Sequence, residues 1–212
     1  MKQKFLPLLA AVLLLGACGN NEKKDGKDAG TGDTATAKPT AGMPDTTGGA
    51  QRWMEYMTPG EKHKWLAKYA GNWEGEVHSY MPGGPVDTQQ AKETIRMTMN
   101  GLYQESDFSS NMMGQPMSGH STMGFDNMRK VFVSTWIDNF GSGIIMMEGS
   151  YDEASKTLNM KGKQSDPMVN MQSDIRQEMK FADDDNYTMT MYATGPDGKE
   201  MKMMDGVFKR KK

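Results

Sequence analysis

From Gly71 to the end of the chain, apolar and polar residues alternate with a period of two. Ile95, Met97 and Met99 alternate with Thr94, Arg96 and Thr98. Val131, Val133 and Thr135 alternate with Phe132, Ser134 and Trp136, and Met189 and Met191 with Thr188 and Thr190. Successive side chains of a strand point to opposite faces, so this pattern predicts half-buried strands. Asn100-Gly101 falls between two such runs and suits a tight hairpin, whose central residues need positive φ. Turn-rich clusters at "FDNMRK", "DNFGSG", "YDEASK", "ADDDN" and "GPDGK" divide the remainder into about ten short strands at hairpin spacing. A meander of that length leaves two open edges unless it closes, so the expected fold class is all-β, a closed antiparallel up-and-down barrel.

One segment ahead of the strands has helical spacing. In "TPGEKHKWLAKYAG", Thr58 is suited to cap a helix, Pro59 to its first turn and Glu61 to a capping box. Trp65, Leu66, Tyr69 and Ala70 then share a face, Lys62, His63, Lys64 and Lys68 lie on the charged side, and Gly71 stops the helix.

The N-terminus follows a different logic. Lys2 and Lys4 precede an apolar run from Phe5 to Leu15, which ends in Leu15-Gly16-Ala17-Cys18. About 11 apolar residues are too few to cross a bilayer. The basic start, short apolar stretch and small-small-Cys ending predict a lipoprotein signal peptide over residues 1–17, with Cys18 as the lipidated first residue, carrying diacylglycerol and an acyl chain such as palmitate. Residues 18–50 contain no Val, Ile, Leu or aromatic residue and read as a disordered linker, followed by one folded domain over 51–212. Gly19 after Cys18 is consistent with an outer-membrane lipoprotein of the cell envelope. The expected partner is thus a membrane, reached through the N-terminal lipid.

Composition narrows the chemistry. Twenty-five Lys and Arg against 27 Asp and Glu give no electrostatic reason to expect nucleic acid. The single cysteine is spent on lipidation, so the mature domain has no thiol nucleophile, disulfide or Cys-based metal site. The three histidines show no metal-binding spacing, and neither a nucleophile elbow nor a phosphate-binding loop is present. His120, at the start of a strand, is the histidine best placed to enter a pocket, as a catalytic group or haem ligand. Nothing calls for a cofactor, and a monomer is expected.

Gly71-Asn72-Trp73 at the head of the first strand, with Arg210 in the last, resembles the signature of the lipocalin and fatty-acid-binding superfamily. The resemblance implies that Trp73 closes one end of the barrel beneath the cation of Arg210. "HKWLAKYAGNWEGEV", "MMGQPMSGHSTMGFDNMRKVFVSTWIDNFGSG" and "DGKEMKMMDGVFKRK" resemble a bacterial, lipocalin-like family of domains of unknown function, number fifteen seventy-nine. The middle block is the specific part, with Gly114, Gly119, Gly124, Asp126, Trp136, Asp138 and Gly141 in place, and with Phe125 where the family usually has Tyr. This resemblance implies a barrel of about 160 residues and brings no established activity.

The functional expectation is non-enzymatic binding of a small apolar or amphipathic molecule inside the barrel. Val77, Ile95, Met97, Met99, Met189 and Met191 are the candidate lining, and Trp136 and Arg96 the candidate orienting groups. Trp136 and Asp138 share a strand face with Asp126 across a turn. They form either an indole wall with a carboxylate or a Trp packed under the helix with two turn-capping aspartates, and turn chemistry alone explains both aspartates. The 23 methionines, with Met-x-Met at 97/99, 189/191 and 201/203, admit two readings. They are an adaptable apolar lining or soft ligands that sequester Cu(I). An enzyme acting on a barrel-bound substrate is the further alternative.

Overall fold

The computed structural model describes residues 48–212, apart from residues 82, 168 and 169. The chain divides into two compact units, residues 1–43 and 44–212, and only the second contains described residues. The expected signal peptide, Cys18 and nearly all of the expected linker lie outside them.

Two helices come first, α1 (Gly49–Met57) and α2 (Glu61–Ala67). Ten strands follow: β1 (Gly71–Tyr80), β2 (Val86–Thr98), β3 (Tyr103–Met112), β4 (Gln115–Asp126), β5 (Val131–Asp138), β6 (Ile145–Asp152), β7 (Thr157–Asp166), β8 (Met171–Asp183), β9 (Asn186–Thr194) and β10 (Glu200–Arg210). Each strand pairs antiparallel with its chain neighbours, and β1 pairs with β10, which closes the barrel and leaves no open edge. The expected up-and-down barrel is what forms.

Closure fixes what each strand face meets. The register Trp73↔Arg210, Gly75↔Phe208 and Val77↔Gly206 continues around the barrel, so that Trp73, Val77, Ile95, Phe132, Leu158, Met160, Phe181, Tyr187 and Phe208 all face inward and are buried. Leu158 and Met160 are 0% exposed. Each such side chain stabilises the fold by about 1.5–3 kcal/mol relative to leaving it in water. The outer face carries Glu74, Glu76, Lys92, Arg96, Lys161, Lys163 and Lys180. A membrane-spanning barrel has the opposite arrangement, with an apolar band outside.

The helical segment differs from expectation in three ways. Thr58 caps nothing in α2; its Oγ1 donates to the Met54 carbonyl at 2.6 Å and closes the end of α1, a helix that the spacing did not predict. Gly60 is the residue that precedes α2, and its N–H donates to His63 Nδ1 at 3.0 Å. His63 is only 2% exposed and lies against Phe125 rather than on the charged side. The hairpin at Asn100-Gly101 is also longer than two residues. Met99, Asn100 and Gly101 all have positive φ and, with Leu102, form a four-residue connection between Thr98 and Tyr103.

Candidate functional site

One end of the barrel is sealed. Trp65 of α2 enters among Tyr69, Phe132, Tyr151 and Phe181, with ring centroids 4.6–5.5 Å away. Gln104 of β3 donates to the Leu66 carbonyl at 2.8 Å and ties the end of α2 to the wall. Trp73 donates its indole N–H to the Tyr69 carbonyl at 3.0 Å, and the Arg210 guanidinium lies 4.5 Å from its ring. Arg210 also donates to Asp185 Oδ1 and to the carbonyls of Lys68, Ala70 and Asp184. Gly71 turns from α2 into β1 at φ +143, where a Cβ would stand 2.7 Å from Arg210 Nη1. Gly71, Trp73 and Arg210 therefore form the closure that the sequence implied.

Directly above Trp73 the lumen has a polar floor. Glu93 pairs with Trp73 in register and points inward, in phase with Ile95 and Met97. Tyr187 reaches across β10 and β1 to donate its hydroxyl to Glu93 Oε2, and Ser106 of β3 donates to Oε1. The Tyr187 ring stacks on Phe208 at 4.8 Å and meets the edge of Trp73 at 5.0 Å. The Phe208 ring in turn needs Gly75 beneath it, since a Cβ there would come within 2.6 Å of the ring. Burial raises the Glu93 pKa above the usual carboxylate value, and the Ser106 and Tyr187 hydrogen bonds offset this in part. Burial also pushes the Tyr187 hydroxyl well above its usual value, reinforced by the Glu93 charge. Chemically, the trio can hold a proton, accept hydrogen bonds or receive a cation.

Further toward the other end burial is mixed: Ala91, Met117, Ser173, Ile175 and Ala193 are buried, and other inward residues are not. Gln89, Phe108, Ser121, Trp136, Gln177, Met191 and Met204 all face the lumen and all keep partial exposure. Trp136 lies flat against Gly119, where a Cβ would come within 2.2 Å of the indole, and meets Phe108 edge-on at 5.8 Å. Its N–H donates to Asp138 Oδ2 at 2.7 Å, while Asp138 Oδ1 accepts from the N–H groups of Phe140 and Gly141.

Several candidate residues are thereby placed. Val77, Ile95, Met97, Met189, Met191 and Trp136 face inward as expected. Met99 does not: it lies in the hairpin connection with φ +47 and is 69% exposed, because the strand ends at Thr98. Arg96 does not either. By alternation it is on the outer face, where it pairs with Glu105 at 2.8 Å and with Asp107. His120 is likewise outside, with Nδ1 2.8 Å from Asp107 Oδ1, so it enters no pocket. Trp136 does not pack under the helix, where Phe132, Tyr151 and Phe181 meet Trp65. Asp126 is at the opposite end of β5 from Asp138, where it accepts from the N–H groups of Met128 and Arg129. Both aspartates are turn acceptors, as their chemistry suggested.

The interior is lined by thioethers, and the cross-strand pairs Met179↔Met189 and Met191↔Met204 place four of them on adjoining inward positions. Among the described residues no group of three or more His, Cys, Asp or Glu side chains is arranged to hold a metal ion. Two surface concavities lie outside the barrel. One of about 940 Å³ is lined by α1, Asn127 and Met128, and another of about 500 Å³ lies at Lys156 and residues 182–186.

Glu93 is the functional candidate that sequence reasoning did not single out. Its signal was parity: Glu93 falls two residues before Ile95, on the apolar phase of its strand, while Lys92, Thr94 and Arg96 occupy the polar phase.

Among solved structures, the barrel is similar to Rv2717c from M. tuberculosis, at 11% identity and a TM-score of 0.57, covering 73% of this chain and 100% of that one. It is also similar to the S-type phycobiliprotein lyase CPES from Guillardia theta, at 8% identity and a TM-score of 0.50, covering 76% and 97%. At these identities the likeness extends to the fold alone. No curated protein matches the sequence. The family model described as a protein of unknown function, DUF1579, matches residues 58–210, which span α2, Trp73, the Glu93 floor and Arg210, and the chain belongs to that family.

Proposed function

We propose that this barrel binds a small apolar or amphipathic molecule in the half of its lumen between the Glu93 floor and the open end. The observation that carries the reading is a group of inward aromatic and thioether side chains that keep partial exposure beyond the floor. At the sealed end Trp73, Phe132, Leu158 and Phe208 are at most 2% exposed. Beyond the floor, Phe108, Trp136, Met191 and Met204 face the lumen yet remain within reach of solvent. A concave site with aromatic and thioether walls and a few fixed polar groups is the usual form of a small-molecule site. Methionine suits it, because the unbranched thioether adapts to differently shaped ligands.

The chain presents this barrel as a lipoprotein on the outer membrane, anchored through Cys18 and monomeric. The support is the sequence of residues 1–18. Metabolic labelling with an alkynyl palmitate, followed by membrane fractionation, tests the anchor. The wild-type chain should carry the label and fractionate with membranes, and Cys18→Ala should do neither.

Residues 44–212 contain the whole closed barrel and both helices, so they serve as a self-contained unit for binding work. Native mass spectrometry of this unit, cut by protease from the envelope-anchored protein and analysed before and after mild organic extraction, tests the binding reading. A discrete organic mass lost on extraction supports it, and a bare protein mass in both states counts against it.

Sequestration of Cu(I) is the second reading, favoured by the four adjoining thioethers of Met179, Met189, Met191 and Met204. The same spectra after Cu(I) addition test it: stoichiometric metal lost in Met191→Leu would place it first.

A further inference from the structure

We propose that the molecule bound in the barrel carries a cationic group, of the alkylammonium type, seated against the Glu93 carboxylate. This rests on the binding reading above and names its ligand class.

The first ground is the environment of Glu93 itself. Both oxygens accept one hydrogen bond, from Ser106 and Tyr187, and each retains acceptor capacity. Neutral hydroxyls orient a carboxylate but do not neutralise it, and no cation is among the groups acting on it. A carboxyl held in an apolar interior without a counter-charge is costly unless it is protonated or paired. The upward direction of its pKa expresses that cost, and a ligand cation removes it.

The second ground is the charge of the whole inner surface. On the inward phase of the described strands lie Asp87, Glu93, Asp138 and Asp166, and no Lys. The one inward-phase Arg is Arg210, which lies against Trp73 and is committed to Asp185 and three backbone carbonyls. The Lys and Arg residues of the strand interiors, among them Lys92, Arg96, Lys161, Lys163, Arg176 and Lys180, are all on the outer face. The inward phase of the strands around Asp87, Asp138 and Asp166 therefore carries negative charge only, and low-dielectric walls focus that field.

The third ground is independent of charge. Ser134 Oγ, in a residue only 4% exposed on the inner face of β5, has no hydrogen-bond partner. A buried hydroxyl without a partner is uncommon in a folded protein, and it marks polar capacity that the protein does not fill from its own groups. Between these polar points, Val77, Met189, Met191 and Met204 supply the wall for an apolar chain. The lumen thus fits an amphiphile with one cationic end at the floor and an apolar body along the thioethers.

The test uses residues 44–212 and three chains of equal length below their micellar concentrations: dodecylammonium, dodecanol and dodecanoate. Isothermal titration should show dodecylammonium binding at least about tenfold tighter than dodecanol, with dodecanoate weakest, as expected for one charge-assisted contact. Glu93→Gln should erase the preference and leave dodecanol affinity within about twofold. Asp174→Asn, an exposed carboxylate on the outer face, should keep the preference. Equal binding of the three chains, or a preference that survives Glu93→Gln, overturns the inference while leaving lumen binding intact. Binding of none of them overturns the binding reading and this inference with it. The order of the three chains on the unmodified barrel decides the matter even where Glu93→Gln does not fold.

Discussion

The Tyr187 hydroxyl donates to Glu93 across the barrel interior, spanning the two strands β10 and β1 that separate them in the sheet. This is a bond through the lumen and not along the wall. It joins the last third of the strands to the first, immediately above the indole of Trp73.

Removing the half-buried, desolvated charge of Glu93 should stabilise the barrel. The Glu93 pKa is raised on folding, so between its unfolded value, near 4.5, and the folded one the native state holds a proton that the unfolded chain has lost. Stability from this group is therefore full below about pH 4.5 and falls as pH rises toward the folded value. Glu93→Gln removes that fall. Thermal unfolding of residues 44–212 at pH 7 should show the variant more stable by about 1 kcal/mol, or roughly 2–4 °C. A variant less stable than wild type at pH 7 would mean that the carboxylate is better solvated than its surroundings imply.

His63 should give a pH dependence of the opposite sign. Burial lowers its pKa from 6.5, offset in part by a hydrogen bond to the Phe125 backbone, and Nδ1 accepts from the Gly60 N–H. The imidazole is thus held neutral at neutral pH. The unfolded chain binds a proton near pH 6.5 that the folded chain takes up only at lower pH, so stability falls as pH drops below about 6.5. Denaturant titrations between pH 7.5 and 5 should show this loss in wild type and less of it in His63→Gln. An identical slope in both would remove His63 as its source.

How far the sequence discloses this arrangement depends on whether periodicity or register is at stake. Alternation and turn chemistry, which are local patterns, read out the ten strands, and the resemblance to the lipocalin signature implied the pairing of Trp73 with Arg210 at the sealed end. Met99 and Arg96 are misplaced for one reason each. The strand stops a residue short of Met99, and in Arg96 a side chain on the polar phase was given an interior role that its parity excludes. His63 was assigned outward by its residue type, although it lies three residues before Leu66 and seven before Ala70, on the apolar face of the helix. Glu93 was legible by parity, but its partner Tyr187, 94 residues away in the chain, is set by barrel closure, which no local pattern encodes.

The Arg210 contacts should behave as one unit. Its guanidinium covers Trp73 and satisfies the Asp184 carbonyl as well as Lys68 and Ala70 near the end of α2. Arg210→Ala leaves those acceptors without their donor and exposes the indole, so unfolding free energy should drop by about 3 kcal/mol. Arg210→Lys should recover only part of this, since one ammonium cannot match a planar fork. Equal loss in both variants would locate the effect in the guanidinium geometry, and no loss in either would show that α2 alone seals the barrel.

Lumen binding itself is tested most directly by methionine methyl NMR, because thioethers line the interior and also dot the surface. The methyls of Met189, Met191 and Met204 face the lumen, whereas Met54, Met128 and Met146 are exposed outside it. Adding dodecylammonium to ¹³C-methyl-methionine protein, residues 44–212, should shift the first three in a saturable way and leave the second three in place. Shifts confined to Met54, Met128 and Met146, with the lumen methyls unmoved, would contradict ligand binding inside the barrel.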